Sequence, residues 1–216
     1  MSKARVLNQE SSIIGTYLAE IRDVERQKDQ MRFRRNLERI GNIMAYEISR
    51  ELNYESKEVE TPLGQATEQV LADQLVLATI LRAGIPFHNG FLQFFDGAEN
   101  AFIGAYRKNE SDGTFHIAME YTSCPNLDGK VLILCDPMLA TGESMKISLD
   151  TLLGHGEPKM VHIATVIGAN AGLEYVQRCF PNAKIWIAGL DEELTAKSYI
   201  VPGLGDAGDL AYGRKN

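Results

Sequence analysis

The chain has 216 residues, 44% hydrophobic and 24% charged, with 22 basic against 29 acidic residues for a net charge of −7. That balance is globular and long enough for a real core in one domain, which excludes disorder, collagen and small disulfide scaffolds. No apolar run reaches the roughly 18 residues of a membrane span, MSKARVLNQESS lacks the apolar stretch of a signal peptide, and a net negative chain is a poor non-specific nucleic-acid binder.

From Tyr17 to Leu52 apolar residues recur at helical spacing: Leu18, Ile21 and Val24, then Phe33, Leu37, Ile40, Met44 and Ile48. Arg32, Arg34, Arg35 and Arg39 among them read as a solvated or subunit-facing helix surface. After Pro62 the pattern changes to short apolar runs alternating with helical stretches. Strands are expected at Val76–Leu81, Ala101–Tyr106, Phe115–Tyr121, Val131–Cys135, Met160–Ile167 and Lys184–Ala188. Helices are expected at Gln65–Asp73, Pro86–Phe95, Ser144–Leu153 and Ala171–Cys179. This alternation predicts an α/β fold, a mainly parallel central sheet flanked by helices. Ligands bind such sheets at the C-terminal ends of the strands, so the turns after strands are the candidate sites. Asp191, Glu192 and Glu193 read as a solvated acidic loop. Cys124, Cys135 and Cys179, odd in number and widely spaced, read as reduced thiols of a cytoplasmic protein. His88, His116, His155 and His162 show no metal-ligand spacing.

Three turns carry chemistry. In Val131-Leu132-Ile133-Leu134-Cys135-Asp136-Pro137-Met138-Leu139-Ala140-Thr141-Gly142-Glu143-Ser144 a buried strand ends in an acid, and a turn of small and hydroxylated residues opens a helix. The amides of Ala140, Thr141 and Gly142 with the Thr141 and Ser144 hydroxyls can form a cup for a phosphate dianion. Asp136 stands where it can accept from ribose hydroxyls. An ordinary strand–turn–helix with a hydroxyl cap is the plainer reading of the same residues. No Gly-x-x-x-x-Gly-Lys-[Ser/Thr] occurs, and no Gly-x-Gly-x-x-Gly follows a strand, so P-loop and dinucleotide-binding sites drop out. The second turn is Ile80-Leu81-Arg82-Ala83-Gly84-Ile85-Pro86, with Arg82 available to a diphosphate and small residues that allow close backbone approach. Beyond Gly104-Ala105-Tyr106-Arg107, residues 108–114 are polar and contain glycine, as a lid would. The third segment, Ser198-Tyr199-Ile200-Val201-Pro202-Gly203-Leu204-Gly205-Asp206-Ala207-Gly208-Asp209, is rich in glycine, yet its apolar residues predict packing.

The Asp136–Gly142 stretch resembles the 5-phosphoribosyl 1-diphosphate (PRPP) loop of type I phosphoribosyltransferases, and Asp-Pro-Met-Leu-Ala-Thr-Gly resembles the uracil phosphoribosyltransferase branch. The turn at Arg82 is similar to that family's diphosphate loop, Arg107 to a second arginine that meets the diphosphate, and the Ser198–Asp209 segment to its uracil-binding segment. Phe33–Gly41 and Glu60–Leu63 are similar as well. The resemblance implies transfer of phosphoribose from PRPP to uracil, with Mg²⁺ carried mainly by substrate oxygens and water rather than by direct protein ligands. It implies PRPP contacts at Arg82, Ala83, Gly84, Arg107, Asp136, Pro137, Met138, Leu139, Ala140, Thr141, Gly142, Glu143, Ser144 and Asp206. It implies base contacts at Ile200, Gly205, Asp206 and Ala207, with Arg82, Arg107 and Asp206 at the reacting centre. It divides a single domain into an N-terminal helical arm (1–62), an α/β core (63–190) and a uracil-binding segment (191–216). It further implies a homodimer or higher homo-oligomer and, in some members, activation by GTP, for which the sequence shows no separate motif. Two departures stand out: Glu143 replaces a common glycine beside the phosphate cup, and Leu210 replaces a common basic residue. The alternatives are a pyrimidine-sensing RNA-binding regulator on the same fold, which the negative charge opposes, and an inactive PRPP-binding paralogue.

Overall fold

The computed structural model describes residues 4–109 and 115–214, with the side chains of residues 105–120 outside that description. Strand β1 (Arg5–Val6) precedes helices α1 (Ile13–Arg22) and α2 (Gln30–Ser49). A hairpin follows, β2 (Tyr54–Thr61) and β3 (Gly64–Leu71), then β4 (Leu75–Leu81), α3 (Gly84–Leu92), β5 (Glu99–Asn109) and β6 (Phe115–Ser123). The second half is β7 (Val131–Cys135), β8 (Met138–Leu139), α4 (Glu143–Leu153), β9 (Met160–Ala169), α5 (Asn170–Cys179) and β10 (Lys184–Asp191). Short strands β11 (Glu193–Leu194) and β12 (Ile200–Val201) lead to α6 (Ala207–Tyr212).

The central sheet runs β1-β10-β9-β7-β4-β5-β6, with β8 added alongside β9. Every pair in it is parallel except β5 with β6. Both faces are covered, which is why the core strands are apolar throughout. On β7, Val131, Ile133 and Cys135 face the cluster built with α1, α2 and α3, while Leu132 and Leu134 face the one built with α4 and α5. Asp29 starts α2 by accepting the Arg32 N–H at 3.0 Å, and Phe33, Leu37, Ile40, Met44 and Ile48 form its buried stripe. The expected helical run from Tyr17 is broken because the Asp23 carboxylate takes the Glu25 and Arg26 amides at 2.9 and 3.0 Å, giving the chain a turn in place of a helix. Among the described residues no helix is long and apolar enough to cross a membrane.

Two expectations fail here. The stretch expected as helix, Gln65–Asp73, is strand β3, paired antiparallel with β2 from Thr61↔Gly64 to Tyr54↔Leu71. The 1–62 arm is accordingly not all helical, since β2 lies inside it. Of the α2 arginines, Arg32, Arg35 and Arg39 are exposed as expected, whereas Arg34 is half-buried. Arg34 donates to the Ala211 carbonyl at 2.6 Å and stands over the Tyr212 ring, and Arg39 stands over Tyr17. Trp186 on β10 is buried, donates its indole N–H to His162 Nδ1 at 3.0 Å and lies under the Arg5 guanidinium.

Helices α2 and α3 cross where both carry glycine. A Cβ on Gly41 would collide with the Phe87 carbonyl oxygen and lie 3.1 Å from Gly90 Cα. Gly41→Ala should overpack this crossing by about 1–3 kcal/mol and lower Tm by several degrees in calorimetry; an unchanged Tm would show that the helices have slack.

Candidate active site

The first turn folds back on the sheet. The Asp136 N–H donates to Ala164 O at 3.1 Å, and Pro137 O accepts from Val166 and Ile167 N–H at 3.2 and 2.9 Å. Proline suits this position because only its carbonyl is used. Pro137 and Leu139 face the interior, whereas Asp136, Met138 and Ala140 face an open cleft. Gly142 then takes φ +86°, where a Cβ would lie 2.9 Å from both Tyr175 and Val176 side chains. Helix α4 starts directly after it with no capping side chain on Gly142. Its Glu143 N–H reaches only the Thr141 hydroxyl, at a long 3.4 Å. The Glu143 side chain is exposed, turned away from the place of the phosphate that it would repel.

The second turn lies against the first. Gly84 sits so close to β4 that a Cβ would collide with Thr79 Oγ1 and lie 3.2 Å from Cys135 O. The Thr79 hydroxyl itself donates to Cys135 O at 3.3 Å, tying the ends of β4 and β7 together. The Leu81–Arg82 peptide is cis. Arg82 extends toward the C-terminal helix, its Nη2 3.7 Å from the Asp209 carboxylate and 3.4 Å from Gly213 O, while its Nε is buried without a partner. Arg107 lies on β5, paired with Ile117 on β6 and beyond the Leu81↔Gly104 register that ends the β4 pairing. Its side chain, that of His116, and residues 110–114 of the expected lid lie outside the described residues.

The third segment packs in part: Ile200, Leu204 and Ala207 are buried, whereas Tyr199 and Val201 are exposed. The Val201–Pro202 peptide is cis, and Gly203 and Gly205 take φ +57° and +96°. Asp206 caps α6 by accepting the Asp209 N–H at 2.9 Å. Leu210, in place of a basic residue, packs against the core.

All three turns meet at one cleft of about 320 Å³. Ala83 comes from the second turn, Asp136, Met138 and Ala140 from the first, and Ile200 with Gly205–Gly208 from the third. A larger hollow of about 650 Å³ lies at the opposite, N-terminal ends of β4 and β5, where none of these turns reaches. Burial pushes the Asp136 carboxyl up to about 7, against the pull of one backbone hydrogen bond from Met138. Burial and the neighbouring Asp136 likewise push the Cys135 thiol well above its ordinary range, so Cys135 is a core thiol and no nucleophile.

Sequence reasoning missed two residues behind the third segment. Asp191, expected in a solvated charge run, is 7% exposed and holds the Arg22 guanidinium through both carboxylate oxygens at 2.8 Å. Arg22 also donates to Gly203 O at 2.9 Å, and the Gly203 N–H donates to Asp191 at 2.9 Å. Only the unusual Gly-Leu-Asp end of β10, an acid closing an apolar strand, hinted at this.

Residues 8–214 match the family model described as uracil phosphoribosyltransferase. The chain is 51% identical over 210 residues to a uracil phosphoribosyltransferase of Porphyromonas gingivalis, covering 97% of each chain. It is 43% identical over 189 residues to one of Methanothermobacter thermautotrophicus, covering 86% of each. Among solved structures it superposes on the AQ2163 protein of Aquifex aeolicus with a TM-score of 0.88 and 32% identity, covering 98% of each chain.

The raised Asp136 carboxyl sets a pH test. Between its ordinary 3.8 and about 7 the folded state keeps a proton that the unfolded state has lost, so this group's contribution to stability falls as pH rises. Asp136→Asn cannot ionise. By scanning fluorimetry it should melt several degrees above the parent protein at pH 8 and level with it near pH 4; an equal Tm at pH 8 would refute the shift.

Proposed function

The chain belongs to the uracil phosphoribosyltransferase family, and on that premise we propose that it transfers the 5-phosphoribosyl group of PRPP to N1 of uracil, giving UMP and diphosphate. The observation that carries this reading is the single cleft shared by the Asp136–Gly142 loop, the Arg82 turn and the Ile200–Ala207 segment.

In this mechanism the start of α4 takes the 5-phosphate, because amides not committed to a capping side chain and the helix dipole favour an anion there. Leu139 serves through its backbone, since its side chain faces inward, and Pro137, with no N–H and with its carbonyl taken by Val166 and Ile167, shapes the turn instead. Asp136 accepts from the ribose hydroxyls. As the bond from C1 to diphosphate breaks, negative charge grows on the leaving group while the ribosyl centre becomes cationic. Arg82, held only loosely by Asp209 and Gly213 in the free protein, swings to that leaving group with Arg107. Backbone groups of Ile200, Gly205 and Ala207 meet the alternating acceptor, donor and acceptor edge of uracil. Cytosine is refused because it would leave buried groups unpaired. Asp206 spends one oxygen on the α6 cap, which suits a role in placing both reactants against each other.

Phosphoribosyltransferases use Mg²⁺ with PRPP, and the two carboxylates that border this cleft, Asp136 and Asp206, suit a hydrated ion that arrives on its substrate. When bound, the ion would supply charge neutralisation at the diphosphate. We further propose a cytoplasmic setting, which the three free cysteines suit, and assembly into a homodimer or larger homo-oligomer, which the hairpin β2–β3, paired only with itself in the sheet topology, would serve. The segment 191–216 then closes the base side of a single domain.

Radiolabelled uracil, PRPP and Mg²⁺ should yield UMP, with cytosine, hypoxanthine and orotate inert and GTP added in a parallel arm; inert uracil beside another converted base would overturn the specificity. Arg82→Ala should lower kcat/KM at least tenfold, about 1.4 kcal/mol in transition-state binding, and unchanged kinetics would remove Arg82 from the mechanism.

A further inference from the structure

The base-reading segment offers peptide groups rather than side chains to the base, and at Gly203 no side chain of its own holds the peptide in place. Ile200 and Ala207 are buried, and Gly203 and Gly205 contribute only backbone. Recognition by peptide groups depends on where those groups are held, and shifts of an ångström or less cost binding. The β11–β12 pairing and the Asp206 cap hold its two ends, and the Gly203 peptide between them is held from outside the segment.

We infer that Arg22 and Asp191 are positioning residues for the nucleobase, a clamp that fixes the Gly203 peptide and through it the groups on either side. Arg22 closes α1 and Asp191 closes β10. Their fork is bidentate, with both contacts at 2.8 Å, a geometry that restricts angle as well as distance. The pair then uses its remaining capacity on one residue, holding Gly203 O through Arg22 and the Gly203 N–H through Asp191, each at 2.9 Å. Gly203 lies between Ile200 and Gly205, the two backbone positions assigned to the base. Two glycines make room for the device. At Gly189 a Cβ would lie 3.2 Å from Arg22 Nη2, and at Gly203 it would collide with Ile200 O. The Gln27 amide, turned so that its nitrogen meets its acceptors, adds a bond to Leu204 O at 2.9 Å.

A part-buried ion pair is weak evidence for stability, because desolvation offsets its attraction. Its value here is the fixed direction it gives a backbone group that has no side chain of its own. The clamp rests on the reading of the segment as the uracil site, and the two are separable by experiment.

Arg22→Lys keeps the charge and loses the fork. Asp191→Asn keeps the size and loses the charge. Both should raise the uracil KM at least tenfold while changing the PRPP Kd, measured by calorimetry without uracil, less than twofold. Discrimination against cytosine should fall with them. Arg26→Ala, which loses an exposed pair with Glu20, should move none of these. Gln27→Leu, which spares the ion pair, should raise the uracil KM two- to fivefold and serves if the first two variants do not fold. Uracil KM within twofold of the parent value in every folded clamp variant would overturn the inference, as would equal losses in uracil and PRPP binding. A parent protein that converts no uracil would instead overturn the reading of the reaction.

Discussion

A protein of net charge −7 that is to hold a polyphosphate must build its attraction locally, from groups that do not alter the overall balance. Backbone amides meet that requirement, and the architecture brings them out at one edge of the sheet. The Thr79 hydroxyl on Cys135 O draws the ends of β4 and β7 together, and Gly84 and Gly142 remove the Cβ atoms that would hold the two turns apart from their neighbours. The rest of the site follows from this closeness. The turns can share a ligand only because the strands beneath them are adjacent and parallel, and those strands are adjacent because apolar side chains on both faces bury them between two helical layers.

The same closeness has a cost. Asp136 is half-buried at the border of the cleft, and the protein packed around its carboxyl resists ionisation. A group that the fold would rather keep neutral is retained at the floor of the cleft, a common sign that a side chain serves something other than stability. The N-terminal layer shows a second economy. Two of its arginines, Arg22 and Arg34, reach the C-terminal segment at Gly203 and Ala211, so the first helices form an outer wall for a region far away in sequence.

Legibility in the sequence followed the range of the interaction. Strand β7 was plain because five consecutive apolar residues are buried on alternate faces, and the phosphate turn was plain because its residue types are local to it. The hairpin was not. In β3, Ala66, Val70 and Leu71 fall near helical spacing, and in β2 charged residues hide the strand, because both elements are largely exposed and have no buried face to impose alternation. Asp191 and Arg34 were misread for another reason. Their partners lie 169 and 177 residues away, at Arg22 and Ala211, and no local pattern reports a contact at that range. The cleft itself was legible as three separate turns, and only the fold shows that they open on one space.

Trp186 is the lone tryptophan of the chain. Buried beneath Arg5 and hydrogen-bonded to His162, it lies in the layer that joins β1 to β10 and takes no part in the cleft. The molecule therefore carries an intrinsic fluorophore that watches the integrity of the sheet edge from outside the cleft. Denaturation and occupancy can accordingly be followed in the same cuvette as independent signals, the first by indole emission and the second by a label placed elsewhere.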